Sequence, residues 1–497
     1  MKKPNILILF TDMQRADTIG ALGNELIKTP ALDRLVHEGT AFTRCYSPSP
    51  VCISARCSMQ YGLYPQRTGL FVNGDMMDDN GESYPAQLSR AGYKTAAIGK
   101  CHFEPDPYAM RGFDERLVQE EILDDYDRDD YRAYLKEKGL NPCEPHGERG
   151  PMYYIPQVSR HAMADHPTQW IGNRTIEYIE KQESDKPWCL FASFIHPHPP
   201  LALPMPWNKL YRGSDMPPPL MPDHAGSLYT HINRKQNRYK WRDNGLDRNL
   251  LRCIRASYYG SVSFVDYQIG RIFQTLEKQG ELDNTLIIFS SDHGEYLGDY
   301  GCYGKRSMHD ASSRVPMLVR CPDRFAAGKV CSDPASLIDI LPTVLGAAGT
   351  EAADADGLDL KQVADGNSSR EYVYSQWGEG QQAIYLIVSK DWKYIYSAGD
   401  HKELMFDRIA DPQETRNAAN LIASESVKAI LKNELLTYLH GQGAADAVEL
   451  KGGQLDWKPY PKINQDFLKD DPDAGLLFQD EPESLFGGFP GYDRPSG

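Results

Sequence analysis

Two acidic residues and a histidine stand directly after apolar segments of this chain, in an arrangement that suits a metal ion. Asp12 follows the apolar run of residues 5–10, and Asp292 and His293 follow the run 285–289. Each side chain alone is typical of a turn or a helix N-cap. At the ends of neighbouring strands, however, two carboxylates would repel each other unless a cation lay between them. Carboxylate oxygens suit hard divalent ions, so we expect Asp12, Asp292 and His293 to bind Ca²⁺, Mg²⁺ or Mn²⁺.

A cysteine at the start of a predicted short helix is the second chemical feature. Residues 49–62 are Ser-Pro-Val-Cys-Ile-Ser-Ala-Arg-Cys-Ser-Met-Gln-Tyr-Gly, which indicates a loop that leads into a helix. Cys52 would lie at the helix N-terminus, where backbone N–H groups attract anions, and Arg56 would point to the same place one turn later. Such a thiol could act as a nucleophile of low pKa. The alternative is a buried structural cysteine.

Four apolar segments must position these groups, because each of them ends in polar residues able to do chemistry. Continuous apolar runs are typical of strands buried on both faces of a mostly parallel sheet. Ligands of such sheets bind outside the carboxyl ends of the strands, so we expect the polar ends to converge at one edge. The segments are 5–10 with Asp12, 94–98 with Lys100 and His102, 188–195 with His196 and His198, and 285–289 with Asp292 and His293.

Helix-like segments lie between these strands. They include residues 31–39 and 84–92, and the second ends at a glycine suited to a helix C-cap. The predicted fold class is therefore α/β, with a mostly parallel central sheet flanked by helices.

Past residue 370 the pattern changes to shorter strands with alternating polarity, which is typical of an antiparallel sheet. These strands fall at 383–389, 392–396 and 403–407, and a helical stretch follows at 424–440. The final segment is rich in Pro, Gly and Asp and indicates an extended arm over the surface or onto a second copy of the chain. We therefore expect an α/β domain at residues 1–369, a smaller antiparallel α+β subdomain at 370–445 and an arm at 446–497.

Charge and hydropathy exclude several kinds of partner. The formal net charge is -15 at pH 7, from 54 Lys and Arg residues against 69 Asp and Glu residues, so the surface should repel nucleic acid and anionic lipid. An anionic small substrate must then be held by local positive charge in a pocket. The mean hydropathy of -0.54 leaves no room for a membrane span.

Cysteine use and the start of the chain favour a cytoplasmic location. The ten cysteines form no C-x-x-C pair, which fits buried thiols in a reducing compartment. Two lysines near the start precede a short apolar run without a small-residue cleavage site, so that run indicates a strand and not a signal peptide. If a signal peptide has been removed from the chain, the location would be periplasmic.

The motif Cys52-x-Ser54-x-Arg56 followed by Gly62 resembles the sulfatase signature, Cys-x-Pro-x-Arg with a downstream glycine. The resemblance spans roughly residues 1–425 and implies an alkaline-phosphatase-like fold, similar to bacterial carbohydrate and choline sulfatases and to phosphonate monoester hydrolases. The other motifs that carry it are Asp12 with Arg15-Ala-Asp17, Thr29-Pro-Ala-Leu-Asp33, Gly99-Lys-Cys-His102, His196-Pro-His198, Ser291-Asp-His-Gly294, Leu297-Gly-Asp299, Lys305, Arg314-Val-Pro316, Trp392-Lys-Tyr394, Glu403-Leu-Met-Phe-Asp407 and Asp411-Pro-Gln-Glu414.

The resemblance implies a role for each residue of the site. In that family the cysteine is oxidised to formylglycine, so Cys52 would be converted by the formylglycine-generating enzyme or another maturase. Asp12, Asp292, His293 and position 52 would bind a divalent metal, with Ca²⁺ as the first choice and Mn²⁺ or Mg²⁺ as alternatives. The remaining roles are fixation of the nucleophile by Arg56 and Lys100, protonation of the leaving oxygen by His198 and Lys305, proton uptake by His102, sulfate binding by Asn73 and a contribution to specificity by His309.

Two positions depart from the family pattern. Ser54 stands where the family has a proline that the converting enzyme recognises, which bears on whether Cys52 is modified. Met13 stands where many relatives have a second Asp or a Gln that helps to bind the metal. Because a thioether is a poor ligand for a hard cation, we expect the site to have one protein ligand fewer, with water or Gln14 in its place.

The expected activity is hydrolysis of a sulfate monoester, with a carbohydrate sulfate as the first choice of substrate. Choline sulfate is less favoured, because no aromatic cage can be inferred from the sequence. The alternative activity is hydrolysis of a phosphonate monoester or a phosphodiester at the same site. A protein of another class, a metal-binding relative without catalysis, would result if Cys52 remained a thiol.

Overall fold

An eight-stranded sheet forms the centre of the structure, a computed structural model that describes residues 3–122, 126–149, 152–183, 186–240, 248–352, 354–368 and 370–463. The strands are β1 Asn5–Asp12, β2 Thr40–Phe42, β3 Cys45–Tyr46, β4 Lys94–Gly99, β5 Glu115–Val118, β6 Gln157–Val158, β7 Trp188–Pro197, β8 Ala202–Leu203, β9 Thr285–Ser291, β10 Arg314–Val315, β11 Met317–Arg320, β12 Lys329–Cys331, β13 Ala335–Ser336, β14 Val373–Trp377, β15 Ile384–Val388, β16 Trp392–Ser397, β17 Lys402–Asp407, β18 Val448–Lys451 and β19 Gln454–Trp457. The helices are α1 Pro30–Glu38, α2 Cys52–Tyr61, α3 Pro65–Thr68, α4 Tyr84–Arg90, α5 Asp130–Glu137, α6 Pro167–Glu180, α7 His231–Lys240, α8 Arg248–Lys278, α9 Asp310–Ser313, α10 Ile340–Ala348, α11 Leu360–Ala364 and α12 Glu425–Gly441.

The central sheet has the strand order β12-β2-β11-β9-β1-β7-β4-β5. The five strands from β9 to β5 are mutually parallel, and β11 runs antiparallel to β9. The side chains of β1 alternate between two cores, with Ile6 and Ile8 on one face and Leu7 and Leu9 on the other. Both faces are therefore covered, which explains the unbroken apolar runs and confirms the predicted mostly parallel α/β sheet.

A separate four-stranded antiparallel sheet, β14-β15-β16-β17, follows the central domain, and helix α12 packs against it. This confirms the predicted smaller α+β region. Lys393 on β16 joins the sheet to helix α9, because its buried Nζ lies 2.8 Å from Asp310 Oδ1 and 2.7 Å from Glu414 Oε1. Buried charges of this kind are stable only when they are paired.

The predicted arm at residues 446–497 is described only in its first part. Residues 448–457 form the antiparallel hairpin β18-β19, and Val448 and Trp457 are buried against the C-terminal sheet and α12. Residues 464–497 lie outside the described residues. The arm and its contact with a second copy of the chain stay predictions.

All ten cysteines are free thiols, and eight of them are buried, as the sequence indicated. Among the described residues, no helix is long and apolar enough to cross a membrane.

Gly99, the last residue of β4, is required by the close approach of β4 and β7. Its φ is +95°, and a Cβ atom built on it would lie 2.1 Å from the carbonyl oxygen of Ser193. That oxygen accepts a hydrogen bond from the backbone N–H of Lys100 at 3.1 Å. The contact therefore fixes the backbone from which Lys100 enters the site.

We predict that Gly99→Ala lowers the free energy of unfolding by about 3 kcal/mol or more, from left-handed strain and from displacement of β7. Gly92→Ala is the matched control, because Gly92 has a φ of +90° and nothing within 4 Å of its Cβ position. This control should lose only about 1–2 kcal/mol. Urea unfolding measures both values, and equal losses would show that the contact with Ser193 is unimportant.

Candidate active site

The carboxyl ends of β1, β4, β7 and β9 meet around the start of helix α2, where Cys52 is the first helical residue. The helix begins there because Val51 is extended, with φ -153°, and it ends at Gly62, which has the left-handed φ of 67°. The Cys52 thiol is almost fully buried. Its Sγ lies 3.7 Å from Asp12 Oδ1, 3.3 Å from His293 Nε2 and 2.8 Å from Lys305 Nζ.

The residues predicted to bind a metal come together. The candidate ligand atoms of Asp12, Cys52, Asp292 and His293 all lie within 4.8 Å of one another, and all four residues are buried. His293 Nδ1 lies 2.9 Å from the carbonyl oxygen of Gly294, which can only accept, so this nitrogen carries the proton and Nε2 is free to bind a cation. Two carboxylates, an imidazole and a side chain at position 52 fit a divalent ion.

Arg56 links the two acids from the next turn of α2. Its Nε donates to Asp292 Oδ2 at 3.0 Å and its second terminal nitrogen lies 3.4 Å from Asp12 Oδ2. The ammonium group of Lys100 is a second positive charge beside Asp12, with its Nζ 2.7 Å from Asp12 Oδ2. Burial alone would raise the pKa of Asp12, but the ammonium of Lys100 holds it well below its usual range. Burial and the charge of Asp12 raise the pKa of Asp292 to about 6.

Lys305 and His198 both lie near the same centre, Lys305 beside Cys52 and His198 beside Asp12. Burial would lower the pKa of Lys305, but the negative charges of Cys52, Asp12 and Asp292 raise it, so the ammonium form is favoured. His198 Nε2 lies 4.0 Å from Asp12 Oδ1 and 3.4 Å from the Tyr153 hydroxyl. Burial lowers the pKa of His198 well below its usual range, so its imidazole is neutral.

Glu121 is a site residue that the sequence interpretation missed. Its Oε2 lies 2.9 Å from Lys100 Nζ, and its Oε1 lies 3.4 Å from His198 Nδ1 and 2.6 Å from a terminal nitrogen of Arg149. Glu121 follows β5, which also ends at this edge of the sheet. The strand is only four residues long and one of them is buried, so no apolar run drew attention to it.

His102 is held through its backbone N–H, whereas Asn73 contacts the start of helix α2 through its side chain. His102 has a φ of 57°, its backbone N–H donates to Glu120 Oε1 at 2.7 Å, and its Nδ1 is buried without a partner among the described residues. Burial lowers the pKa of His102 to about 4. Asn73 Oδ1 accepts the N–H of Ile53 at 3.1 Å, directly beside Cys52.

His309 lies in an aromatic cluster against the C-terminal sheet. Its Nδ1 is 2.6 Å from the Tyr296 hydroxyl, and its ring packs on those of Tyr300 and Phe406. His196 is also engaged elsewhere, with Nδ1 2.8 Å from Thr168 Oγ1 and its ring stacked on His166. The predicted specificity role of His309 stays a prediction.

The two departures from the family pattern have local structural consequences. Ser54 donates its hydroxyl proton to the carbonyl oxygen of Leu70, a bond that a proline could not make. Met13 has a left-handed φ of 62°, and its backbone N–H donates to Asp292 Oδ1 at 3.1 Å. The Tyr258 hydroxyl donates to the Met13 carbonyl oxygen at 2.6 Å. Position 13 therefore orients Asp292, a candidate metal ligand, through its backbone.

Comparison with known proteins gives a consistent assignment. The family model described as "Sulfatase" matches residues 4–350, and the one described as "N-sulphoglucosamine sulphohydrolase, C-terminal" matches residues 298–440. The "Arylsulfatase" of Clostridium perfringens is 31% identical over 91% of this chain and 98% of its own length. The "N-acetylglucosamine-6-O-sulfatase" of Bacteroides thetaiotaomicron is 28% identical over 84% of this chain and 82% of its own length.

Among solved structures, the phosphonate monoester hydrolase of Agrobacterium radiobacter superimposes with a TM-score of 0.78. The two sequences are 24% identical, over 92% of this chain and all of that one. This likeness confirms the alkaline-phosphatase-like fold that the motifs implied.

The contacts of Cys52 predict an acidic thiol in protein whose cysteine has not been converted. Burial and the charge of Asp12 oppose ionisation, but Lys305 and Lys100 outweigh them and lower the pKa of Cys52 to about 7. Alkylation of Cys52 by iodoacetamide in metal-free protein should therefore be half-maximal near pH 7, and Lys305→Met should move this midpoint upward. Mass spectrometry of the alkylated peptide measures both.

Cys57 on the same helix is an internal control, because burial raises the pKa of its thiol to about 12. It should remain unmodified over the whole titration. If Cys52 reacted only at the pH of an ordinary thiol, the approach of Lys305 to Sγ would be wrong.

Proposed function

The chain belongs to the sulfatase family and is a sulfuric ester hydrolase; from this premise we propose that it cleaves the sulfate monoester of a carbohydrate with a nucleophile made from Cys52. The observation that carries the proposal is the position of Cys52. Its Sγ lies within 4.8 Å of the candidate ligand atoms of Asp12, Asp292 and His293 and 2.8 Å from the ammonium nitrogen of Lys305. A nucleophile there would meet the anionic group of a substrate between a cation site and a proton donor.

Conversion of Cys52 to formylglycine would supply a geminal hydroxyl as nucleophile, and a divalent ion, Ca²⁺ by first choice, would offset charge on the sulfate oxygens. Asp12, Asp292 and His293 would hold that ion together with position 52. Arg56 keeps the two carboxylates in place, and Lys100 offsets the charge of Asp12 through its contact with Oδ2. The conversion requires a maturase as a partner protein.

Protons would be handled by groups whose charge states differ. Lys305 Nζ carries a proton beside position 52, so we assign it protonation of the departing oxygen. His198 Nδ1 lies 2.6 Å from the carbonyl oxygen of Pro199, so the neutral ring presents an unprotonated Nε2 to the site. This state suits a hydrogen-bond acceptor better than an acid. His102 is neutral and suits proton uptake, and Asn73 stands beside Cys52 as a sulfate-binding group.

The choice of a carbohydrate sulfate rests on the relatives. One of the similar proteins bears the name of a sugar sulfatase, N-acetylglucosamine-6-O-sulfatase. The likeness in fold to a phosphonate monoester hydrolase supports the second candidate, hydrolysis of a phosphonate monoester or phosphodiester at the same site. A cytoplasmic location and assembly through residues 446–497 are further proposals that follow from the sequence.

The two candidate activities are distinguished by their rates. We expect an aryl sulfate to be hydrolysed faster than an aryl phosphonate monoester at equal concentration, and we expect chelation to abolish the reaction until Ca²⁺ is restored. Asp292→Ala should weaken Ca²⁺ binding, as measured by calorimetric titration, because it removes one of two carboxylate ligands. A faster phosphonate reaction would favour the second candidate, and full activity after chelation would contradict the metal site.

Lys305→Ala should affect poor leaving groups most. A sugar sulfate must have its bridging oxygen protonated as the S–O bond breaks, whereas an aryl sulfate expels a stable phenolate. The rate on a sugar sulfate should fall by roughly 10²–10⁴-fold and the rate on an aryl sulfate by much less. His198→Ala should show a smaller difference between the two substrates, and kcat/KM measures both variants. Equal losses on the two substrates would place Lys305 in sulfate binding alone.

A further inference from the structure

Three amide side chains on one face of helix α7 bind the segment that carries Lys305. Asn233, Gln236 and Asn237 are spaced by three and four residues, so they project from the same side of the helix. Facing them is the segment of residues 301–307. Neither helix nor strand covers residues 302–307, all of which are described.

The contacts run along the whole segment. Asn237 donates its Nδ2–H to the Gly301 carbonyl at 2.9 Å and accepts the Tyr303 N–H at 3.1 Å. Gln236 accepts the Lys305 N–H at 3.2 Å and donates to the Lys305 carbonyl oxygen. The set is completed by Asn233, whose Oδ1 accepts the Ser307 hydroxyl at 3.2 Å.

The segment needs such partners because of its backbone conformation. Gly301, Gly304 and Arg306 have positive φ values of 71°, 82° and 71°. A backbone that alternates in this way cannot pair with a strand, and buried peptide groups without partners cost free energy. Gln236 binds both the backbone N–H and the carbonyl oxygen of Lys305. Lys305 is the residue whose Nζ lies 2.8 Å from Cys52 Sγ.

Helix α7 is itself attached to the C-terminal sheet. His231 Nδ1 lies 3.0 Å from the hydroxyl of Ser397 at the end of β16, and Arg234 is 3.5 Å from Asp400. The C-terminal sheet thus supports the helix that supports Lys305. Gln236 has less than a tenth of its surface exposed and none of its contacts with Lys305 involve the ammonium group, so it acts on Lys305 only through the backbone.

We propose that Gln236, flanked by Asn233 and Asn237, is a positioning residue that sets the location of Lys305 relative to position 52. The proposal rests on the function proposed above for Lys305. Loss of the two Gln236 bonds would let the backbone at Lys305 move. A displacement of about 1 Å at a reacting group can cost about 10²-fold in rate.

The test uses the full chain with Gln236→Leu, which removes both bonds, and Gln236→Glu, which keeps the size and the acceptor but loses the donor. Lys235→Ala is the matched control, since Lys235 is exposed on the same helix. Hydrogen exchange of the peptide that spans residues 301–307 reports the bonds directly. Exchange should accelerate strongly in Gln236→Leu, which removes the acceptor of the Lys305 N–H, accelerate less in Gln236→Glu, which keeps that acceptor, and stay unchanged in the control.

Measurements of kcat then test whether the Gln236 hydrogen bonds act on catalysis through Lys305. Gln236→Leu should lower kcat on a sugar sulfate by about 10–10²-fold, lower it less on an aryl sulfate and leave KM nearly unchanged. When Gln236→Leu is added to Lys305→Ala, kcat should fall by less than about 3-fold relative to Lys305→Ala alone. The reason is that the ammonium group that Gln236 positions is already absent. If Gln236→Leu does not fold, Gln236→Glu gives the same comparison with a smaller expected rate loss, because it removes only one of the two hydrogen bonds.

Two results would overturn the proposal. Unchanged hydrogen exchange would show that the bonds do not restrain the segment. Faster exchange with a rate loss that adds fully to that of Lys305→Ala would show that Gln236 supports the fold and not Lys305. If the enzyme without any substitution hydrolysed no sulfate ester, the proposed function would fail. The exchange measurements would still decide whether the Gln236 hydrogen bonds exist.

Discussion

Charge balance among buried side chains is the constraint on which this structure depends. Asp12, Asp292, Arg56, Lys100 and Lys305 are all buried, and each lies within hydrogen-bonding distance of an opposite charge or of Cys52. Removal of one member of such a set leaves its partners buried and unpaired, which typically costs about 3–5 kcal/mol. Burial and the charge of Asp12 raise the pKa of Asp292 even though Arg56 lies 3.0 Å from it. A divalent ion is the group that would complete the balance.

The sheet satisfies part of this constraint, because Asp12, Lys100 and Asp292 lie at the carboxyl ends of three separate parallel strands. Residues just beyond those strands adopt unusual backbone conformations, with φ values of 62° at Met13 and 57° at His102. Left-handed backbone at non-glycine residues costs about 1–3 kcal/mol and persists where the surrounding structure enforces it. Here the enforcement comes from hydrogen bonds to Asp292 and Glu120, both of which belong to the site or its support.

The elements predicted from the sequence are those whose signal is local. Unbroken apolar runs identified four strands of the central sheet, and short connections from strand to polar residue placed Asp12, Asp292 and His293 at one edge beside Cys52. Glu121 was missed because β5 is short and partly exposed. The role of the α7 amide side chains could not be predicted from the sequence, because their partners are distant along the chain. Gln236 and Lys305, for example, are separated by 69 residues. His309 was assigned a specificity role from the sequence, which gave no indication of the aromatic cluster that surrounds it.

The central claim is that position 52 acts as formylglycine and not as cysteine. Mass spectrometry of the peptide that contains position 52, prepared from active enzyme, tests this most directly. We expect a residue mass in which the thiol has been exchanged for an aldehyde oxygen, together with loss of turnover in folded Cys52→Ala protein. An active enzyme whose peptide carries only unmodified, alkylatable cysteine would contradict the formylglycine mechanism.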